Sequence, residues 1–200
     1  MQIESIKQKL FELKKKDIKL SVFGAQKHKY KLYTPKKEIE IKNFEENYNL
    51  KLPPGYRDFL LQIGNGGAGP YFGLEPLESS LFVDLDYGEE SGLIDPTKAF
   101  PLNEKWNLNF ENLEDEKYFE IKDEEYFDNK WVNGLLRVSN FGCGVSINLV
   151  VNGVEYGNIW IDDRCNDGGI YPDKSINSEN RLNFLNWYEQ WLDKSLSEIS

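Results

Sequence analysis

The sequence predicts one domain built from both helices and strands, and three observations carry that prediction. Apolar residues recur at helical spacing through the first third of the chain and again near its end. The stretch from Gly134 to Ile161 switches to strand-like runs broken by an Asn-Gly pair. Finally, 200 residues with 40% hydrophobic and 14% aromatic side chains suffice to enclose a single core without a disulfide framework.

The elements follow in order. Ile3, Ile6, Leu10 and Leu13 predict an amphipathic amino-terminal helix with lysines on its outer face. A short strand is expected around Leu20, Val22 and Phe23. Thr34-Pro35 reads as an N-cap with proline at the first helical position, and Ile41, Phe44 and Tyr48 then share one face. That helix ends before Leu52-Pro53, and Pro54 opens another whose apolar face is Tyr56, Phe59, Leu60 and Ile63, with Gly64 placed to stop it. From Pro76 to Trp131 periodicity fades, although Trp106, Phe110, Tyr118, Phe119, Tyr126 and Phe127 make the stretch too aromatic for disorder. Strands are expected at Leu135–Val138, Val145–Val151 and Val154–Ile161. Asn152-Gly153 predicts a type I′ hairpin pairing Leu149 with Tyr156, Ile147 with Asn158 and Val145 with Trp160. A covering helix is expected over Ser178–Leu192, with Leu182, Leu185, Tyr188 and Leu192 on one stripe that Trp187 and Trp191 widen.

Charge is unevenly spread. Residues 1–57 carry 14 Lys and Arg against 7 Asp and Glu, whereas the remainder turns strongly negative and brings the chain to −10. Such a body repels phosphate backbones and attracts basic proteins, so a basic protein partner is expected and direct nucleic-acid binding is not. The acids concentrate in Asp84–Asp95 and in Glu104–Asp128, the latter with ten carboxylates against three lysines. No run approaches the roughly 18 apolar residues of a membrane span, and the amino terminus does not read as a secretory signal, so a cytoplasmic protein is expected. Cys143 and Cys165 fit reduced, buried thiols.

The candidate motifs do not support catalysis. The one histidine, His28, lies between lysines in what reads as a solvated turn, so neither a histidine-rich metal site nor a histidine-based triad is expected. Gly64-Asn65-Gly66-Gly67-Ala68-Gly69 has dinucleotide-loop spacing, but it follows a helix and meets Pro70 where a phosphate-binding helix should begin; a tight connection is the better reading. Asp162-Asp163-Arg164-Cys165-Asn166-Asp167-Gly168 partly resembles a calcium loop, but it places cysteine at a ligand position and Lys174 where the closing glutamate belongs. A turn with local carboxylate bonds, including one to Arg164, is expected instead. No enzyme, metal or cofactor is read from these residues.

Several blocks taken together resemble the SUKH superfamily of Smi/Knr cell-wall assembly regulator-like domains. They are Leu52-Pro53-Pro54-Gly55-Tyr56-Arg57-Asp58-Phe59-Leu60, Ile63 through Pro70, Gly73-Leu74-Glu75-Pro76-Leu77, Gly142-Cys143-Gly144, Gly157 through Arg164, and Phe184 through Leu192. The resemblance implies a single α+β domain over 1–200 with a mainly antiparallel sheet flanked by helices. It divides the chain into an amino-terminal helical region at 1–33, a core at 34–78 and 131–195, and an acidic insertion at 79–130. For bacterial members it implies an immunity protein that neutralises a cognate polymorphic toxin, such as a nuclease, by binding; for fungal-type members it implies a regulatory scaffold with endogenous partners. Partner specificity is most easily carried on loops, which puts Asp84, Asp86, Glu89, Glu90, Glu124, Glu125 and Asp128 at the expected partner surface, with Trp106 and Tyr126 as exposed aromatic anchors.

Overall fold

The computed structural model describes residues 2–111, 114–176 and 180–199. Its helices are α1 (Gln2–Lys16), α2 (Ala25–His28), α3 (Glu38–Asn47), α4 (Pro54–Gln62), α5 (Asp115–Ile121) and α6 (Phe184–Glu198). Its strands are β1 (Leu135–Gly142), β2 (Val145–Val150), β3 (Ile159–Asp162) and β4 (Ile170–Pro172), forming one antiparallel sheet in the order β1-β2-β3-β4. This is an α+β domain.

The helical faces fold as their periodicity predicts. Ile6, Leu10 and Leu13 of α1 are buried, and α1 lies against α6 through a polar clamp along its edge. Ser5 Oγ donates to Glu189 at 2.7 Å, and Lys9 Nζ pairs with Glu189 at 2.9 Å and Asp193 at 2.6 Å. In α4, Pro54 fills the first turn, where a missing N–H costs nothing, and Tyr56, Phe59 and Leu60 are buried against α6. Phe59 meets Phe184 and Tyr188 edge-on, with centroids 5.2 and 4.9 Å apart.

Two faces of the sheet are covered by different layers. Leu136, Val138, Ile147, Leu149 and Ile159 join the main core with α1, α4 and α6. Leu135, Val150, Trp160 and Ile170 pack instead on Ile94, Phe100, Leu102 and Val132, so the acidic stretch supplies the second layer as well as surface. The glycine-rich link is buried in the main core, where the Tyr188 hydroxyl donates to the Ala68 carbonyl. Gly67 exchanges backbone bonds with Leu74, and at φ +99° a side chain there would strike the Lys31 carbonyl at 2.4 Å.

Several expectations are overturned. No strand forms at Leu20–Phe23, because the buried Asp17 carboxylate gathers the Ser21 amide and hydroxyl, the Val22 amide and the Tyr30 hydroxyl, folding that segment into a turn. Thr34 does not cap α3. Lys36 N–H is bonded to the Leu60 carbonyl, which keeps 34–37 extended, and Lys37 is the N-cap with its amide held by Glu40. His28 is buried at 8% exposure in α2, its ring edge-on to Tyr30 and Trp191. Both cysteines are exposed because they sit in tight turns at the end of the sheet.

The Asn152-Gly153 hairpin is also absent. β2 pairs with β3 as Leu149↔Ile159, Asn148↔Trp160 and Ile147↔Ile161, three residues away from the expected register. Asn152 is held outside the ladder, since Nδ2 donates to the Thr97 carbonyl at 2.8 Å and its own carbonyl accepts from Phe100 N–H at 2.9 Å. An odd shift exchanges the two faces of a strand, which is why Trp160 faces the second core; Val154 falls in the turn before β3 and is exposed. The last helix starts at Phe184, capped by Asn183, whose side chain accepts from Asn186 N–H. The expected start at Ser178 lies outside the described residues.

Candidate partner-binding surface

One end of the sheet gathers the polar residues that the core rejects. Arg137 on β1, Ser146 and Asn148 on β2 and Asp162 on β3 line one face across three strands. Arg164 comes from the turn after β3 and completes a cluster of two guanidiniums around one carboxylate. Arg164 Nε and Nη2 each reach Asp162 at 2.7 Å, and Arg137 Nη1 reaches it at 3.0 Å. Burial opposes the charge on Asp162, but Arg164 and Arg137 overcome that and hold its carboxyl at about 2.

The same guanidiniums pin the acidic stretch. Arg137 Nε donates to the Val83 carbonyl at 3.1 Å, and Arg164 Nη1 donates to the Tyr126 carbonyl at 2.8 Å. A cleft of about 160 Å³ opens above them, with Asp84, Asp86 and Phe127 at its lip and Cys165 and Gly144 at its side. Of the expected acidic residues, Asp84 and Asp86 line this opening; Glu124, Glu125 and Asp128 do not line it, although Phe127 beside them does. Glu89 and Glu90 stand exposed on the neighbouring short turn, which Ser91 ties back by donating to the Asp84 carbonyl. Asp128 caps the turn 129–132 and pairs with Lys130 at 3.2 Å.

The expected aromatic anchors are turned inward. Tyr126 is fully buried, its hydroxyl bonded to Asn107, and Trp106 is half-buried, stacked on Trp131 at 4.2 Å. They are drawn in because Trp106 bridges Ile170 as an added strand residue and its ring closes the second core. Lys122 fastens the same segment. Its Nζ lies 4.7 to 6.0 Å from the ring centres of Phe110, Tyr118, Tyr126 and Phe127 and pairs with Asp167 at 2.6 Å. Replacing Lys122 with Met should therefore loosen the 110–128 segment and cost about 1–2 kcal/mol in urea unfolding. A change below about 0.5 kcal/mol would show the contacts to be incidental.

Aromatic surface does exist, but elsewhere. Phe23, Tyr71, Phe72 and Phe141 form one patch, with centroids 5.4 Å apart for Phe23–Phe72 and 4.5 Å for Tyr71–Phe141. Phe23 is 57% and Phe141 42% exposed. The patch adjoins the acidic cleft through Asn140, whose carbonyl accepts from Phe72 N–H and whose side chain donates to Asp86 at 2.8 Å. The sequence signal for it is Tyr71-Phe72 directly after a glycine-rich link and a proline; the partners Phe23 and Phe141 lie far apart in the chain. Tyr71 adopts φ +57°, a conformation uncommon for a bulky residue.

The architecture is an α+β domain with one sheet layered between helices and a packed acidic stretch, with the Phe23–Tyr71–Phe72–Phe141 patch beside the acidic cleft at one sheet end. The chain belongs to the SMI1 / KNR4 family (SUKH-1), whose family model matches residues 35–175. Domains of this family are known in immunity proteins and are not typically enzymes. No curated protein and no solved structure matches the chain. Among the described residues, no helix is long and apolar enough to cross a membrane.

Proposed function

We propose that this chain is an immunity protein that neutralises a cognate toxin by binding its basic surface. The observation that carries the reading is the acidic stretch itself, which is anchored at both ends to buried arginines and so presents its carboxylates on a pre-organised frame. A nuclease that must attract a phosphate backbone presents the complementary charge, and an inhibitor covering that surface excludes the nucleic acid.

Co-expression with the toxin domain encoded beside its gene should restore growth, and calorimetry should give an affinity that weakens about tenfold or more between low and moderate salt. Charge removal at Asp84, Asp86, Glu89 and Glu124 should lower affinity in steps, chiefly through association rate. Lack of both rescue and binding would reject the toxin assignment and favour a regulatory partner.

A further inference from the structure

A second cleft, of about 290 Å³, lies between α6 and the turns at 22–23, 70–71 and 173–176. Trp187, Trp191, Tyr71 and Phe23 supply aromatic walls, and two carboxylates line the cleft, Asp173 and Glu198, of which Glu198 pairs with Lys194. Asp173 accepts the Lys174 backbone amide at 2.9 Å. Burial pushes its carboxyl up, against the opposing bonds from that amide and from the Trp187 indole, and no cation contributes to the balance. Of the two lysines at the rim, Lys194 pairs with Glu198 at 3.9 Å, and the side chain of neither lysine is among the groups that set the Asp173 carboxyl. A half-buried carboxylate without a cation, walled by aromatic rings, is the environment that stabilises a guanidinium or ammonium group through both charge and ring faces.

We infer that this cleft is the docking site for an arginine or lysine side chain presented by a basic protein partner, its head group on Asp173 and its stem against Trp187, Trp191 and Tyr71. The partner's being a toxin rests on the function proposed above; the chemistry of the cleft does not. The cleft is continuous with the exposed Phe23–Tyr71–Phe72–Phe141 patch, so an inserted side chain would be flanked by apolar contact area that excludes water.

The probe is N-acetyl-arginine amide, titrated into ¹⁵N-labelled protein while the indole N–H signals of the 5 tryptophans are followed. Trp187 and Trp191 signals should move, while those of Trp106, Trp131 and Trp160, which lie on the other side of the sheet, should not. N-acetyl-norleucine amide, of similar length but uncharged, should bind at least about tenfold more weakly, and Asp173→Asn should weaken arginine binding by a similar factor. Phe23→Ala, at an exposed position, should weaken binding severalfold without affecting the fold. The inference is overturned if the two indoles do not respond, if norleucine binds as well as arginine, or if Asp173→Asn leaves the affinity unchanged. Toxin rescue without arginine binding would remove the cleft and keep the immunity reading; arginine binding without rescue would do the reverse.

Discussion

Asp162→Asn is expected to lower the folding free energy by about 3–5 kcal/mol, the largest single effect in this molecule outside the apolar core. Arg137 is 3% and Arg164 4% exposed, and both turn to the one carboxylate. An amide in its place leaves two like charges facing each other away from water, and repulsion from Arg164 already works with burial to weaken the charge on Arg137. The loss should register as a lower urea midpoint with an unchanged slope, because the compactness of the native state is not altered. A triple change, Asp162→Leu with Arg137→Met and Arg164→Met, should recover much of that stability, since buried ion clusters are often replaceable by apolar groups. It should not recover partner binding, because the Val83 and Tyr126 carbonyls would lose the donors that fix the acidic segments. A loss below about 1 kcal/mol for Asp162→Asn would mean that water reaches the cluster. The pH dependence has a definite sign. With its native carboxyl held at about 2, below the ordinary 3.8, Asp162 contributes stability that is present above pH 3.8 and lost as pH falls through 2.

The features legible in the sequence are those that depend on neighbours close along the chain. The faces of α1, α4 and α6 follow from a 3.6-residue period, and residues such as Leu10, Phe59 and Tyr188 are buried where that period puts them. Distant partners decide the rest. Asn152 carries strong local turn chemistry, yet two hydrogen bonds from the 97–100 segment outweigh it and move the register by three residues. Arg137 and Asp162 look like ordinary strand-edge charges until the sheet aligns them, 25 positions apart, on one buried face. At the candidate surface, the concentration of acids is readable from composition, while the exposed rings are not. Tyr126 and Trp106 are consumed by the second core, and the exposed rings come from Phe23, Tyr71, Phe72 and Phe141, which only the fold assembles.

His28 should make the fold acid-sensitive between pH 6.5 and 4, well above the range of the paired carboxylates. Its Nδ1 accepts the Tyr30 amide at 3.1 Å, so the neutral ring carries its proton on Nε2, which is buried without a hydrogen-bond partner among the described residues. Protonating Nδ1 would set a donor against that amide and place a charge between the edges of Tyr30 and Trp191, and burial accordingly depresses the imidazole to about 4. In the unfolded chain His28 takes up its proton near pH 6.5, and in the folded chain it does not until about 4. The unfolded state therefore binds more protons throughout that window, and stability falls as pH is lowered, by about 3 kcal/mol in all. Glu75 and Asp173, whose carboxyls burial pushes up, titrate with the opposite sign to His28, whereas Glu38, Glu40, Glu78 and Glu189, held below the ordinary value by their partners, add to its sign near the acid end of the window. His28→Asn isolates it, because an asparagine oxygen can accept the amide two residues on while nothing titrates. The difference in unfolding free energy between the two proteins should shrink or reverse by about 3 kcal/mol from pH 7 to pH 4. A constant difference across that range would mean that His28 is protonated in the native state, and that the contact between α2 and Trp191 on α6 opens to admit the charge.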